Sequence, residues 1–349
     1  MVVISIIIES IRILREDRPI LAKSTSFTLL LTIQDYLDSV GLSRSENTAR
    51  TYTNAMRSFM ESWVKHGGNP EEDPVERLTE SFIADFAADL KSYSPNTEQL
   101  YITAATGFYE YLAAERLADI NLPRMRMLIK RRSRRTGQRL PQFPKEDIHK
   151  VLIYAKSLNM VPVKTKRQRL QLLRDRAFIL TLADTGLRVH EACNLRRGDL
   201  DWQEGKAVII GKGNQEAVVR FSTRALTALR DYINTRAEID GAYGRSLTSL
   251  PLFARHDLGA GDRVEPISTT TGRNIISQRV KESLGDKAAG TITPHSFRHF
   301  FVTEVLQGSG GNIKLAQKLA RHKNIQVTQR YAHLSDEELD KGYYDIFEE

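Results

Sequence analysis

The chain has a single cysteine, Cys193, among its 349 residues. An intramolecular disulfide is therefore excluded, and the composition fits a reducing compartment, here taken as the cytoplasm. Cys193 lies in an apolar, helical stretch just after Glu191, which marks it as a buried thiol and not a nucleophile. The most apolar segment, the N-terminal MVVISIIIES, is too short to cross a bilayer. Its arginines, Arg12 and Arg15, follow the run, and no small-residue cleavage site comes after it. It fits neither a spanning helix nor a signal peptide, and no membrane role is expected. Residues 1–26 are set aside as an extension of unassigned role. Internal repeats and low-complexity tracts are missing too. Acidic residues are absent from Leu122 to Pro144, where eight arginines and lysines fall.

What is present points to a folded protein with an anionic partner. Hydrophobic residues make up 41% and charged residues 27% of the chain, which argues against disorder. The length favours two domains. The formal net charge of +8 favours nucleic acid first and an acidic membrane surface second.

Residues 27–120 read as four amphipathic helices, a small helical bundle. The first stops at Gly41. The second starts at a cap, Ser45 or Asn47, and ends at Gly67-Gly68. The third carries Phe82, Phe86 and Leu90 on one face, and the fourth carries Tyr101, Phe108, Tyr111 and Leu112. These aromatic stripes are assigned to the core and not to base stacking. The basic stretch at 121–144 is broken by Pro123, Gly137, Pro141 and Pro144. It reads as an extended linker whose Arg131, Arg132, Arg134 and Arg135 can lie along phosphates without reading bases. From 145 to 349 the chain is mixed. Helical patterns dominate, and KAVIIG, KGN and QEAVVRF form two strands and a tight turn. The fold class is thus mainly α with a small antiparallel sheet.

Four short stretches of this second region concentrate cations in apolar surroundings. In TGLRVHE, Arg188 and Glu191 share a face at a helix start. In IIGKGNQE, Lys212 sits at the hairpin tip. In TPHSFRH, Thr293 is an N-cap and Pro294 suits the first helical position, so His295 and Arg298 lie at the helix N-terminal end, where an anion is welcome. In RHKNIQVTQRYAH, His322 precedes Tyr331 by nine residues. As a set they suit phosphodiester chemistry. Two guanidinium forks can neutralise the non-bridging oxygens, a lysine can protonate a leaving 5′ oxygen, histidines can move protons, and a tyrosine can attack phosphorus. Fixed cations meet the transition-state charge, so neither metal nor cofactor is required. His295 and His299 have the i, i+4 spacing of zinc helices, but Ser296 stands where a metalloprotease needs glutamate, and no third ligand suggests itself.

The order Arg188, Lys212, His295, Arg298, His322, Tyr331 resembles the tyrosine recombinase (integrase) family, with Xer-type spacing: 24 residues separate Arg188 from Lys212. The resemblance covers 145–335 strongly and 27–120 more weakly. It implies a helical core-binding domain followed by a catalytic domain. It implies that Arg188 and Arg298 clamp the scissile phosphate, that Lys212 is the general acid, and that His295 assists proton transfer and supports the phosphate. His322 would hydrogen-bond a phosphate oxygen, Tyr331 would form a 3′-phosphotyrosyl link, and Glu191 would be a supporting carboxylate outside the chemistry. Strand exchange through a Holliday junction on duplex DNA with short inverted repeats, by a homotetramer, follows from the same resemblance. The acidic segment after His333 resembles the family's C-terminal helix, which packs on a neighbouring protomer or back on its own; docking in trans is the expectation. The chain departs from the family's Leu-Gly-His at LARH, where Arg321 replaces the glycine, and its QGSGGN loop is slightly longer. No room remains ahead of residue 27 for the arm-binding domain of some phage integrases, which implies a simple two-domain recombinase. A type IB topoisomerase-like relaxing enzyme and a non-catalytic DNA-binding protein are the alternatives. The helical N-terminal region and the GKG hairpin disfavour the first, and the intact six-residue set disfavours the second.

Overall fold

The computed structural model describes residues 27–133, 144–211, 215–261, 263–322 and 324–329. The chain divides into two compact units, Met1–Gln138 and Arg139–Glu349. Among the described residues no helix is long and apolar enough to cross a membrane.

The first unit contains α1 (Leu29–Ser43), α2 (Glu46–Lys65), α3 (Phe82–Asp89), α4 (Pro95–Ala114) and α5 (Leu122–Arg132). Its core is aromatic. Phe59 of α2 meets Phe82 and Phe86 of α3 edge-on, with ring centroids 5.2 and 5.1 Å away. The Tyr36 hydroxyl donates to the Ala104 carbonyl at 3.0 Å, which ties α1 to α4. These rings are buried and so belong to the core, as expected. Helix α1 does not stop at Gly41. It continues to Ser43, and the Arg44 N–H closes the last turn on the Val40 carbonyl. Gly41 sits in open space and costs the helix only propensity.

The basic stretch departs further from expectation. Residues 122–132 form helix α5 and are not extended. The Asn121 side chain caps it by accepting from the Arg124 N–H at 3.0 Å, and Pro123 falls in the first turn, where proline is tolerated. Met125 is buried against the bundle. Arg124 pairs with Glu80 at 2.5 Å and Arg126 with Glu110 at 2.8 Å, so acidic groups from elsewhere in the unit relieve the run's self-repulsion. Arg131 and Arg132 are exposed in the last turn, where cations complement the helix dipole. Arg134 and Arg135 lie outside the described residues.

The second unit begins with α6 (Lys145–Ser157), α7 (Lys166–Thr185) and the short α8 (Val189–Asn194). A three-stranded antiparallel sheet follows: β1 (Leu200–Asp201), β2 (Lys206–Gly211) and β3 (Gln215–Arg220), in that order. Pairing of Ala207 with Val219 and of Ile209 with Ala217 puts one face on the core, while Val208, Ile210 and Val218 face out. The turn carrying Lys212 lies outside the described residues. Helices α9 (Thr223–Ala242), α10 (Thr269–Leu284), α11 (Pro294–Gly308), α12 (Ile313–Ala320) and α13 (Ile325–Gln329) complete the unit. The core gathers Phe178 and Leu182 of α7, Leu229 and Tyr232 of α9, Ile276 of α10 and Phe297 of α11. Cys193 is buried here too. Its thiol points at the Ser268 carbonyl, and burial pushes its pKa up to about 12, which fits an inert side chain. Arg236 is fully enclosed. It bonds to Asp240, the Tyr232 hydroxyl and the carbonyls of Pro251 and Leu252, and so pins α9 to the loop beyond it.

Gly186 ends α7 in the left-handed region (φ 59°), and a Cβ there would fall 2.4 Å from the Phe301 ring of α11. Both features require glycine. Gly186→Ala is expected to lower stability by about 2–4 kcal/mol, from left-handed strain plus overpacking. Urea unfolding measures it, and an unchanged midpoint would contradict this account of the α7–α11 contact.

Candidate active site

Three chain ends meet in the second unit: the turn from α7 into α8, the start of α11, and the end of α12. Each is fixed by local chemistry. At the first, the Gly186 N–H returns to the Leu182 carbonyl, and the Thr185 hydroxyl accepts from the Leu187 N–H at 3.2 Å. The chain then extends through Arg188, the N-cap of α8. Glu191 occupies the third helical position, where a carboxylate can satisfy a free N–H of the first turn. Its Oε2 accepts the Arg188 N–H and its Oε1 accepts Arg188 Nη1, both at 2.8 Å. Burial pushes the Glu191 pKa up. The Arg188 N–H and the charges of Arg321 and Arg188 outweigh it, and the carboxyl is held below its usual range.

At the second end, Thr293 caps α11 and Pro294 opens it. The Ser296 hydroxyl accepts from the Thr293 N–H at 3.0 Å, closing the cap. His295 is in the first turn, exposed but partly enclosed by protein. Arg298, one turn on, is buried, and its guanidinium donates to the Gly186 and Ala320 carbonyls. At the third end, α12 closes on Arg321, which is left-handed (φ 57°), and the His322 N–H bonds the Gln317 carbonyl at 3.0 Å. Arg321 Nη2 reaches Glu191 Oε2 at 3.1 Å and the Gly186 carbonyl at 3.4 Å. His322 Nδ1 shares a 2.8 Å hydrogen bond with the hydroxyl of Thr328, which is fully buried in α13. With that hydroxyl as donor, the ring proton is on Nε2, which becomes a donor itself.

Arg188, Arg298 and Glu191 are therefore joined through the α7–α8 turn, with His295 one helical turn from Arg298 and His322 next to Arg321. Lys212 and Tyr331 lie outside the described residues, as does the acidic segment after His333. Arg131 and Arg132 belong to the first unit. Sequence reasoning did not assign roles to Thr328 and Gly186. The TGL turn carried a signal for Gly186, because a glycine after a long apolar helix marks a left-handed cap. Thr328, three residues before Tyr331, had none.

Positive charge is in excess. Three guanidinium groups face one carboxylate. Burial, followed by the charges of Arg298, Arg188, His299 and Arg321, pushes His322 down to about 4. His295 is lowered by burial, then by Arg298 and Arg188, and His299 by burial, then by His295 and Arg298. Such a pocket keeps its histidines neutral and favours an anion. Among the described residues no cluster of three histidine, cysteine or carboxylate side chains could hold a metal ion.

Residues 155–338, more than half of the chain, match the model of the phage integrase family. The chain belongs to that family. As a tyrosine recombinase it cuts and rejoins DNA. It is 28% identical over 302 residues to the tyrosine recombinase XerC of Bacillus subtilis, covering 86% of this chain and 90% of that protein. With tyrosine recombinase XerA of Pyrococcus furiosus it is 27% identical over 309 residues, 87% and 88% of the two chains. The fold is that of XerH site-specific recombinase bound to difH substrate, at TM-score 0.68, 17% identity and 94% and 99% coverage. A lambda integrase dimer bound to a COC' core site shares it at TM-score 0.59 and 17% identity, covering 88% of this chain and 96% of that one. The structures thus agree with the expected fold class, mainly α with a small antiparallel sheet.

The lowered histidines set a pH dependence. In the unfolded chain a histidine titrates near 6.5. Between that value and about 4, the unfolded state binds a proton that folded His322 refuses. Its contribution to stability is complete above about pH 6.5 and is lost as pH falls toward 4. The melting temperature of DNA-free protein is expected to fall from pH 7 to pH 5, and His322→Asn is expected to flatten that slope. An identical slope in the variant would contradict the assignment.

Proposed function

We propose that this recombinase cuts duplex DNA at Tyr331 through a 3′-phosphotyrosyl intermediate, with the arginine pocket holding the scissile phosphate. The observation that carries the reading is the convergence of Arg188 and Arg298 on a single turn, with a net positive charge only partly offset by Glu191. The phosphate would sit between the two guanidinium groups, which neutralise its non-bridging oxygens as charge builds on them. His322, through Nε2, would donate to one of those oxygens. Neutral His295 would accept the Tyr331 proton as the phenolic oxygen attacks phosphorus. As the bond to the 5′ oxygen breaks, Lys212 would protonate that oxygen. The phosphotyrosyl bond retains the energy of the broken linkage, so a 5′-hydroxyl can attack it in reverse, without ATP. When that hydroxyl comes from a second duplex, strands exchange through a Holliday junction.

Two such exchanges need four active sites. The proposal is accordingly a homotetramer acting on double-stranded DNA with short inverted repeats, in the cytoplasm. XerH site-specific recombinase bound to palindromic difH substrate, a structure of the same fold, supports the inverted-repeat DNA by analogy. Exposed Arg131 and Arg132, with Arg134 and Arg135, would add sequence-independent phosphate contacts.

Covalent trapping tests the chemistry. Protein is incubated in EDTA with labelled DNA that carries a candidate site and a nick beside the cut. A denaturation-resistant adduct is expected with the natural chain and none with Tyr331→Phe. Arg188→Ala and Arg298→Ala are each expected to slow adduct formation by roughly 100- to 1,000-fold, the typical cost of one preorganised charge donor. An undiminished adduct in Tyr331→Phe would refute the nucleophile. Tight binding without any adduct across many sites would favour a DNA-binding protein that no longer cuts.

A further inference from the structure

Arg321 stands where the family pattern has glycine, and its backbone shows why glycine is usual. The residue caps α12 at φ 57°, ψ 44°, a conformation that L side chains adopt reluctantly. Among the described residues only Arg116 shares a positive φ without being glycine, and Arg116 is exposed. Arg321 differs: its side chain is 11% exposed. A long cation at a strained, enclosed position must be held by something, and its contacts are specific. Nη2 donates to Glu191 Oε2, the oxygen that also receives the Arg188 N–H. The same nitrogen faces the Gly186 carbonyl, which also receives Arg298 Nη1. One guanidinium thus touches the partner of each of the other two. Its Nε and Nη1 are buried and have no hydrogen-bond partner among the described residues. Burial, and less so the nearby Arg188 charge, lowers its pKa, while the Glu191 carboxylate works in the opposite direction.

We propose that Arg321 is a positioning residue for strand cleavage. By bridging Glu191 and the Gly186 carbonyl, it fixes Arg188 and Arg298 in one frame and adds a third positive charge to the field at the scissile phosphate. The inference rests on the reading of Arg188 and Arg298 as the phosphate clamp. With glycine at this position, Glu191 would be held from the Arg188 side alone, and the two clamp arginines would be tied only through the bond from Arg298 to the Gly186 carbonyl. Glu191 is enclosed, so it cannot exchange the lost donor for free solvent contact.

The test is single-turnover cleavage of a nicked duplex at saturating protein, with melting temperature and DNA affinity measured in parallel. Arg321→Gly relieves the left-handed strain, so its melting temperature is expected to equal or exceed that of the natural chain. Its DNA affinity is expected to stay within a few-fold, while cleavage slows by about 10- to 100-fold, the scale of a small misplacement of reacting groups. Arg321→Lys, which retains the charge, is expected to recover part of the rate. A methylphosphonate at the scissile position removes the charge of one non-bridging oxygen, and there the Arg321→Gly defect is expected to shrink. Arg321→Gly cleaving at the natural rate would overturn the inference. So would an equal defect on both substrates with no recovery by lysine, because that pattern is purely structural. Arg188→Ala run alongside separates the two levels: a crippled Arg188→Ala beside a fully active Arg321→Gly sinks only this inference, whereas a fully active Arg188→Ala sinks the clamp reading beneath it.

Discussion

The site depends on one buried carboxylate. Glu191 is almost fully enclosed, and removing a carboxylate from water costs several kcal/mol unless nearby donors satisfy it. Here the Arg188 N–H, the Arg188 guanidinium and the Arg321 guanidinium do so. The dependence runs both ways. A carboxylate at the third position of α8 fixes where the helix begins, and that start places Arg188. Gly186, two residues earlier, offers the carbonyl that Arg298 and Arg321 approach from separate helices. The frame for three guanidinium groups is therefore a six-residue turn, Gly186 to Glu191, held at one end by a left-handed glycine and at the other by an ionised acid.

A frame built on one anion and three cations is charged by design. Burial first, and then the surplus, depresses the pKa of His295, His299 and His322 together. At neutral pH these imidazoles are then available as hydrogen-bond donors and bases instead of adding to the repulsion. An entering phosphodiester supplies the missing negative charge, and protonation of a nearby histidine becomes easier as it does. On the proposed reading, burial and positive charge together would make the pocket an anion site and a proton-transfer site.

Much of this was legible in the chain. Thr293-Pro294 and Arg188-Glu191 are local helix-start signals, and local capping chemistry decides helix starts. The aromatic stripes of α2, α3 and α4 announced a core because their periodicity matches the helix. Where non-local partners decide, the reading failed or stopped short. The basic run at 122–132 suggested an extended segment, since like charges repel. Glu80 and Glu110, distant in sequence, supply the opposite charge, and buried Met125 supplies the anchor. Strand β1 has two residues, too few for any periodicity to show. Arg321 was recognisable as a departure from the family pattern, but its target, Glu191, lies 130 residues earlier. Thr328 bonds His322 only because α13 folds back beside α12, a tertiary fact without a sequence signature.

Replacing Glu191 with glutamine tests most directly whether its charge organises the site. The amide keeps the shape, loses the negative charge and places an N–H₂ where donors converge. Cleavage rate per bound complex and DNA affinity are both to be measured. The account predicts that DNA binds as tightly as before, or more tightly because net positive charge rises, while cleavage slows by about 10- to 100-fold because the arginines lose their common frame. Unchanged cleavage with unchanged binding would contradict it and would mean that the arginines hold their positions without the carboxylate.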